Sequence, residues 1–225
     1  MAETRQTVLG ELLDRVRSIR RGGRVLIAID GLDGAGKSVL VSELVDLASR
    51  VDGRRLAGVS IDGFHHPRSV RHAKGCGPEC FYRDSYDYPA FVESVVDPFR
   101  KGEAITPAVW DVAADQPASP QPVDLPGDCV LLVDGIFLHR PELRGIWDAS
   151  VWIEVPFAVS VPRGNARFPH LSSADPESES NRRYVGGQRL YFAEAAPWDR
   201  ATWILDNTDL DRPKLAQGTR VTPLP

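Results

Sequence analysis

Residues 31–38 carry the chemistry that is easiest to interpret. They read Gly-Leu-Asp-Gly-Ala-Gly-Lys-Ser, which follows the pattern G-x-x-x-x-G-K-[S/T]. Glycines let a backbone curl so that several N–H groups point into one concavity, where they bind phosphate oxygens. A helix that begins at the end of the loop adds the positive end of its dipole. The Lys37 side chain can reach the β- and γ-phosphates of a nucleotide, and the Ser38 hydroxyl can ligate Mg²⁺.

The flanks of this loop decide between a phosphate-binding loop and a glycine-rich surface turn. An apolar, β-branched run at residues 25–29 predicts a strand that ends at Asp30. Apolar residues at helical spacing follow the loop up to Arg50. Strand, loop and helix in this order favour phosphate binding. The residues expected to hold the nucleotide are Gly31, Asp33, Gly34, Ala35, Gly36, Lys37, Ser38 and Val39.

Two further apolar segments, at residues 56–61 and 129–133, also end in an acid, Asp62 and Asp134. Strands without polar alternation, separated by helices, predict a parallel sheet with helices on both faces. With residues 151–155 and 201–205, the sequence predicts a mostly parallel sheet of about five strands. Ligands bind such sheets at the carboxyl ends of the strands, so we expect these acids to gather near Lys37.

The two acids after Asp30 suit different roles. Residues 130–133 are apolar and precede Asp134, the form of a strand whose terminal acid holds Mg²⁺ or its water shell. Phosphoryl transfer to a hydroxyl needs a carboxylate that accepts the attacking proton, and we assign this role to Asp62. The predicted metal ligands are therefore Ser38 and Asp134, with Asp62 close by.

Composition limits the remaining choices. The chain has 225 residues and a formal net charge of −4, so no basic surface indicates nucleic acid as a partner. No apolar run approaches the ~18 residues of a membrane span. The amphipathic start of the chain is unlike a signal peptide, and three cysteines are too few for a disulfide framework, which together favour the cytoplasm. We expect one domain over residues 1–225, with an arginine-bearing helical lid at about 160–195; self-association is left open.

The ordered set of motifs resembles the uridine kinase-like branch of P-loop kinases, which includes uridine, pantothenate and phosphoribulose kinases. The resemblance covers roughly residues 24–210. It rests on segments 28–31 with the phosphate loop, 60–65, 86–91, 109–111, 133–138 and 201–207. It implies the three-layer α/β sandwich of P-loop NTPases. It also implies ATP as donor, Mg²⁺ as cofactor and a small-molecule hydroxyl, most simply that of a nucleoside, as acceptor.

The resemblance also implies residue roles. Asp62 matches the catalytic carboxylate of the family, and Asp87 matches the acid that holds ribose hydroxyls in uridine kinases. Arg163 and Arg167 match the lid arginines that clamp phosphates and stabilise transition-state charge. The expected walls of the acceptor pocket are Phe64, His65, Tyr86 and Trp110, with Asp111 beside them.

Departures from the family pattern keep alternatives open. Phe168 follows Arg167 where an aspartate is usual, which allows a nucleotide-binding regulator without catalysis. The arginines and histidines of residues 63–86 allow a non-nucleoside acceptor such as a vitamin precursor, a sugar phosphate or a secondary metabolite. A third alternative is zinc bound within the same segment, by residues among His65, His66, His72, Cys76 and Cys80.

Overall fold

The computed structural model describes residues 4–20, 22–167 and 173–218. The helices are α1 (Arg5–Ser18), α2 (Lys37–Ser49), α3 (Arg68–Arg71), α4 (Pro78–Asp84), α5 (Tyr88–Phe91), α6 (Asp97–Lys101), α7 (Phe157–Asn165), α8 (Arg182–Ala195) and α9 (Pro197–Arg200). The strands are β1 (Val25–Gly31), β2 (Arg55–Ser60), β3 (Trp110–Asp111), β4 (Gln116–Pro117), β5 (Cys129–Gly135), β6 (Ala149–Glu154), β7 (Trp203–Asp206) and β8 (Lys214–Gln217).

A six-stranded sheet with the order β2-β5-β1-β6-β7-β8 forms the centre of the described chain. The first five strands in this order pair in parallel, and β8 pairs antiparallel with β7. β1 and β5 are buried along their whole length, which is why their sequences show no polar alternation. Each pairs along both edges with another strand, and its complete burial shows that both of its faces are covered as well.

Two apolar clusters cover the two faces of the sheet. One includes α1 residues such as Leu12 and α2 residues such as Leu40 and Leu44. The other is rich in aromatic side chains from the segments after β2 and β5, among them Phe64 and Phe137. The prediction of a mostly parallel α/β sheet with helices on both faces is confirmed, and the sheet has a sixth strand, β8, that the sequence did not indicate.

Residues 63–86, which show no clear periodicity in sequence, contain two short helices. α3 has no buried residue, whereas α4 buries Cys80, Phe81 and Tyr82 and packs on α8. After this segment, α5 continues into α6 through a π-helical turn at Val92–Val96. Residues 63–86 therefore contain helical structure and are not one irregular loop.

The predicted lid region contains α7 and α8, while Phe168 lies outside the described residues. α8 buries Val185, Tyr191 and Ala195 in the core. None of the helices in residues 4–20, 22–167 and 173–218 has the length and apolar content needed to cross a membrane.

Candidate active site

The phosphate loop joins β1 to α2 and requires glycine at two places. Gly34 has φ +76° and Gly36 has φ +93°, both in the left-handed region that L side chains rarely adopt. A Cβ at Gly34 would lie 2.1 Å from the Ser160 carbonyl oxygen and 2.7 Å from the Gly164 nitrogen. The loop is therefore pressed against the backbone of α7, and only glycine allows this approach.

Lys37 begins α2 and is almost fully buried, at 9% exposure. Its Nζ donates a hydrogen bond to the Leu32 carbonyl oxygen at 2.7 Å, across the mouth of the loop. Burial lowers the pKa of Lys37, while nearby carboxylates oppose this effect. The opposing carboxylates belong to Asp33, Asp30, Asp62 and Asp134. Lys37 is therefore a buried amine whose charged form is opposed by burial and favoured by the surrounding carboxylates.

Ser38 and Asp134 meet as the sequence predicted. The Ser38 hydroxyl donates to Oδ2 of Asp134 at 2.6 Å. Asp134 lies near the carboxyl end of β5, in register with Ser60 on β2 and Ile29 on β1. Burial raises the pKa of Asp134, although the Ser38 hydrogen bond and the charge of Lys37 both act to lower it.

Two side chains that sequence reasoning did not assign hold the loop in shape. Asn207, fully buried after β7, donates from Nδ2 to the Ala35 carbonyl oxygen at 2.8 Å. Gln188 on α8 accepts from the Asp33 backbone N–H at 2.8 Å. The position of Asn207 directly after a strand, at the ligand-binding edge of the sheet, was the only available signal.

Asp62 lies on a 3₁₀ turn, Ile61–Phe64, that follows β2, and it is exposed. The buried Tyr86 hydroxyl donates to Oδ1 of Asp62 at 2.9 Å. Burial, together with the Asp62 charge, raises the pKa of Tyr86 well above its ordinary value, so Tyr86 remains a donor. His65 packs on Tyr86 with ring centroids 4.4 Å apart. Within the described residues no donor reaches the other oxygen of Asp62, which leaves it available as a proton acceptor.

The two arginines matched to the family lid are both near the loop but make different contacts. Arg163 donates to the backbone carbonyl oxygens of Asn207 and Thr208, at 2.9 and 2.7 Å. Arg167 is 61% exposed and forms an ion pair with Asp33 at 2.7 Å. Exposed pairs of this kind contribute little to stability, so Arg167 can exchange Asp33 for another anion at small cost.

Several predicted acceptor residues make contacts within the protein itself, and their roles in acceptor binding stay predictions. Phe64 is fully buried and packs edge-on against Phe91 in the core. Asp87 caps α5 by accepting from the Ala90 N–H at 3.0 Å. Asp111 accepts from two backbone N–H groups of its own turn, and Trp110 lies beside it on β3. These side chains do not line the cavity at the phosphate loop.

Asp30, unlike Asp62 and Asp134, does not line the cavity at the phosphate loop. It is fully buried, where His139 lies 2.6 Å from its Oδ2 and the Tyr191 hydroxyl donates to the same oxygen. The second ring nitrogen of His139 is 2.9 Å from the Ser150 hydroxyl. This Asp-His-Ser chain is closed to solvent and links β1, β6 and α8, so it braces the strand that precedes the phosphate loop.

A cavity of about 860 Å³ joins the remaining features. Its lining includes all six predicted catalytic and metal-binding residues together with Tyr86; the six are Lys37, Ser38, Asp62, Asp134, Arg163 and Arg167. In the part of the chain that the structure describes, no three His, Cys, Asp or Glu side chains are grouped so that they could hold a metal ion. The zinc alternative for residues 65–80 therefore has no support from the geometry.

Known structures share this architecture. A protein described as a possible uridine kinase from Bacillus stearothermophilus superposes with a TM-score of 0.69 at 20% identity, covering 87% of this chain and 96% of that one. A protein described as a candidate fructose transport system kinase from Silicibacter sp. TM1040 gives a TM-score of 0.67 at 25% identity, covering 86% and 96%. The chain has the fold of the uridine kinase-like P-loop kinases. The sequence resemblance is thereby confirmed at the level of the fold.

Comparison of sequences gives less information about this chain than comparison of structures. No protein-family model matches the chain. An 83-residue stretch is 35% identical to the type VI secretion system component TssM1 from Pseudomonas aeruginosa. That stretch is 36% of this chain and 8% of TssM1, so the chain matches less than a tenth of that protein's length.

Proposed function

We propose that this protein is a kinase that transfers the γ-phosphate of ATP to a hydroxyl group of a small molecule, with Mg²⁺ as cofactor. The observation that carries the proposal is that Lys37, Ser38, Asp134 and a half-free carboxylate, Asp62, all line one cavity. A nucleotide-binding protein needs the first three for phosphates and metal. The fourth is the group that hydroxyl phosphorylation needs in addition.

The donor set around Ser38 fits Mg²⁺. A hydroxyl and a carboxylate oxygen 2.6 Å apart are hard oxygen ligands, which Mg²⁺ prefers together with water and substrate phosphates. Ser38 and Asp134 would hold the ion, and when bound it would neutralise charge on the transferring phosphate. The raised pKa of the buried Asp134 is consistent with a carboxylate that a cation would stabilise.

The chain's own residues account for the remaining steps. Lys37 would leave the Leu32 carbonyl oxygen and contact the β- and γ-phosphates. The acceptor oxygen would form its bond to the γ-phosphorus as the bond to the β–γ bridging oxygen breaks, and ADP leaves. The acceptor proton would pass to the free oxygen of Asp62, whose orientation Tyr86 fixes.

Arg163 and Arg167 would stabilise charge on the transferring group from the α7 side of the cavity. Arg167 reaches this position by giving up its exposed pair with Asp33. Planar guanidinium groups suit this task because they can donate two hydrogen bonds to one phosphate.

A nucleoside acceptor has weaker support than the transfer itself. The ribose-holding role carried over to Asp87, and the wall role of Trp110, belong to side chains outside the cavity lining. His65 and Tyr86 do line it and leave an aromatic surface beside Asp62. A kinase of a non-nucleoside hydroxyl compound is therefore the second candidate. Arg68, Arg71 and Arg183 in the cavity lining favour it, because they suit an anionic acceptor.

The test compares Asp62→Asn with wild type for ADP release and for Mg-ATP binding. Asp46→Asn, an exposed aspartate on α2, is the matched control. We expect Asp62→Asn to lose at least about a hundredfold in turnover, the usual contribution of a positioned base, with nucleotide affinity retained. Near-normal turnover would refute the role of Asp62. Tight nucleotide binding without turnover by wild type would instead favour a non-catalytic regulator.

A further inference from the structure

The cavity is basic although the protein as a whole is acidic. The chain carries a formal net charge of −4. Six lysine or arginine residues but only three aspartates line the cavity. They are Lys37, Arg68, Arg71, Arg163, Arg167 and Arg183, against Asp33, Asp62 and Asp134. A local excess of cations in an acidic protein concentrates anions at this site.

Three of these six cations come from α3 and α8, which are separate from the phosphate loop and from α7 with the residues just after it. Arg68 and Arg71 lie on α3, and Arg183 lies in the first turn of α8. α3 packs on α4 and α4 packs on α8, which brings the three arginines to one end of the cavity. Desolvation and then the charges of Arg183, Arg71 and Arg68 lower the pKa of His72, in keeping with a cluster of like charges there.

The cluster has unused hydrogen-bonding capacity. Nη1 of Arg183 is buried without a hydrogen-bond partner in residues 4–20, 22–167 and 173–218, and its guanidinium lies 5.7 Å from the centre of the Phe81 ring. Arg71 donates from Nε to the His66 carbonyl oxygen at 2.8 Å, and its Nη2 is 3.7 Å from Asp115. Asp115 therefore offsets part of the charge of Arg71 but makes no close pair with it.

A buried donor on a charged group is costly when it has no acceptor, so native proteins normally provide one. Arginine clusters that lack carboxylate partners are typical binding sites for phosphate or carboxylate groups. The phosphates of ATP already have Lys37, Arg163 and Arg167 as cationic partners in the proposed function. The arginines of α3 and α8 are thus in excess of what the nucleotide requires.

We propose that Arg68, Arg71 and Arg183 bind an anionic group, phosphate or carboxylate, on the acceptor itself. The acceptor is then a small hydroxylated anion, held with its charge at the α3–α8 end and its hydroxyl at Asp62. This inference rests on the proposed kinase function for the identity of the bound molecule, while the anion site itself does not depend on catalysis.

The first experiment measures binding to protein loaded with Mg-ADP, so that the phosphate loop is occupied. Calorimetric titrations use ribose 5-phosphate, glycerol 3-phosphate and glycerate, each against its neutral counterpart, ribose or glycerol, with uridine as a neutral nucleoside. We expect at least one anion to bind about tenfold or more tightly than its neutral counterpart. The phosphate and carboxylate members distinguish the two kinds of anionic group.

Variants then assign the anion to the cluster. Arg183→Gln should weaken binding of the preferred anion about tenfold or more and leave Mg-ADP affinity within about twofold. Arg68→Gln should act in the same direction. Arg182→Gln is the matched control, because Arg182 is exposed on the same helix and pairs with Glu179.

The outcomes separate the two proposals. Equal binding of anionic and neutral compounds, or equal losses in Arg183→Gln and Arg182→Gln, would overturn the anion site. Binding of anions through Arg183 without phosphorylation of any compound tested, anionic or neutral, would support the site and contradict the kinase function. Turnover on uridine in preference to every anion would overturn the inference and leave the kinase function intact.

Discussion

Replacing Gly34 by alanine tests the packing of the phosphate loop against α7. The added Cβ would lie 2.1 Å from the Ser160 oxygen and 2.7 Å from the Gly164 nitrogen, and both are backbone atoms that cannot rotate away. The positive φ of Gly34 adds about 1–2 kcal/mol for any L side chain. Overpacking of this kind costs about 1–3 kcal/mol, so the expected loss of stability is about 2–5 kcal/mol.

In a domain of this size, each kcal/mol lowers the melting temperature by about 2–4 °C, so a loss of about 2–5 kcal/mol should make Gly34→Ala melt roughly 4–20 °C below wild type. The loop must also shift to relieve the contact, and nucleotide affinity should fall with it. Calorimetric melting and ADP titration measure the two effects. Gly10→Ala is the control, because the added Cβ would meet no neighbouring group within 4 Å. Inside α1, alanine should stabilise the helix by about 0.5–1 kcal/mol relative to glycine. A Gly34→Ala protein that melts and binds ADP like wild type would refute the packing argument.

Two other substitutions test the predicted metal ligand Asp134 and the helix-capping residue Asp87. Burial raises the pKa of Asp134, so the folded protein holds a proton there more readily than the unfolded chain does, and its charge lowers stability above that pKa. Without nucleotide, Asp134→Asn should therefore melt at or above the wild-type temperature at pH 7, and this difference in melting temperature should shrink as the pH falls through the raised pKa. Asp134→Asn should also lose Mg²⁺-dependent ADP binding. A melting temperature that, relative to wild type, is lower at pH 7 than at pH 5 would contradict the stability prediction. Asp87→Ala should lose about 1 kcal/mol of stability, because it removes the side chain that caps α5 by accepting from the Ala90 N–H, while the KM for the acceptor stays unchanged. A large rise in that KM would support the substrate-binding role predicted for Asp87.

The sequence predicted the parts of the fold that follow from burial. β1 and β5 are covered on both faces, so their apolar runs are continuous and readable. β8 is a mostly exposed edge strand that pairs antiparallel with β7, and its residues carry no such pattern. α3 buries nothing and is four residues long, so no hydrophobic period could indicate it.

The site was predictable where spacing along the chain sets geometry. Ser38 and Asp134 meet because a loop of fixed length and a parallel strand bring them to one edge of the sheet. Asp30 sits at the same edge, yet its environment is decided by Tyr191, a side chain 161 residues away. Local sequence carries no sign of such a partner, and the same holds for Asn207 and its bond to Ala35.

The most direct test of the proposed phosphoryl transfer is to measure ADP and phosphorylated acceptor together, by mass spectrometry, after incubating wild-type protein with Mg-ATP and the hydroxyl compounds named above. We expect the two products to appear in equal amounts for one acceptor class and both to disappear in Asp62→Asn. ADP without a phosphorylated acceptor, or equal product from Asp62→Asn, would contradict this expectation.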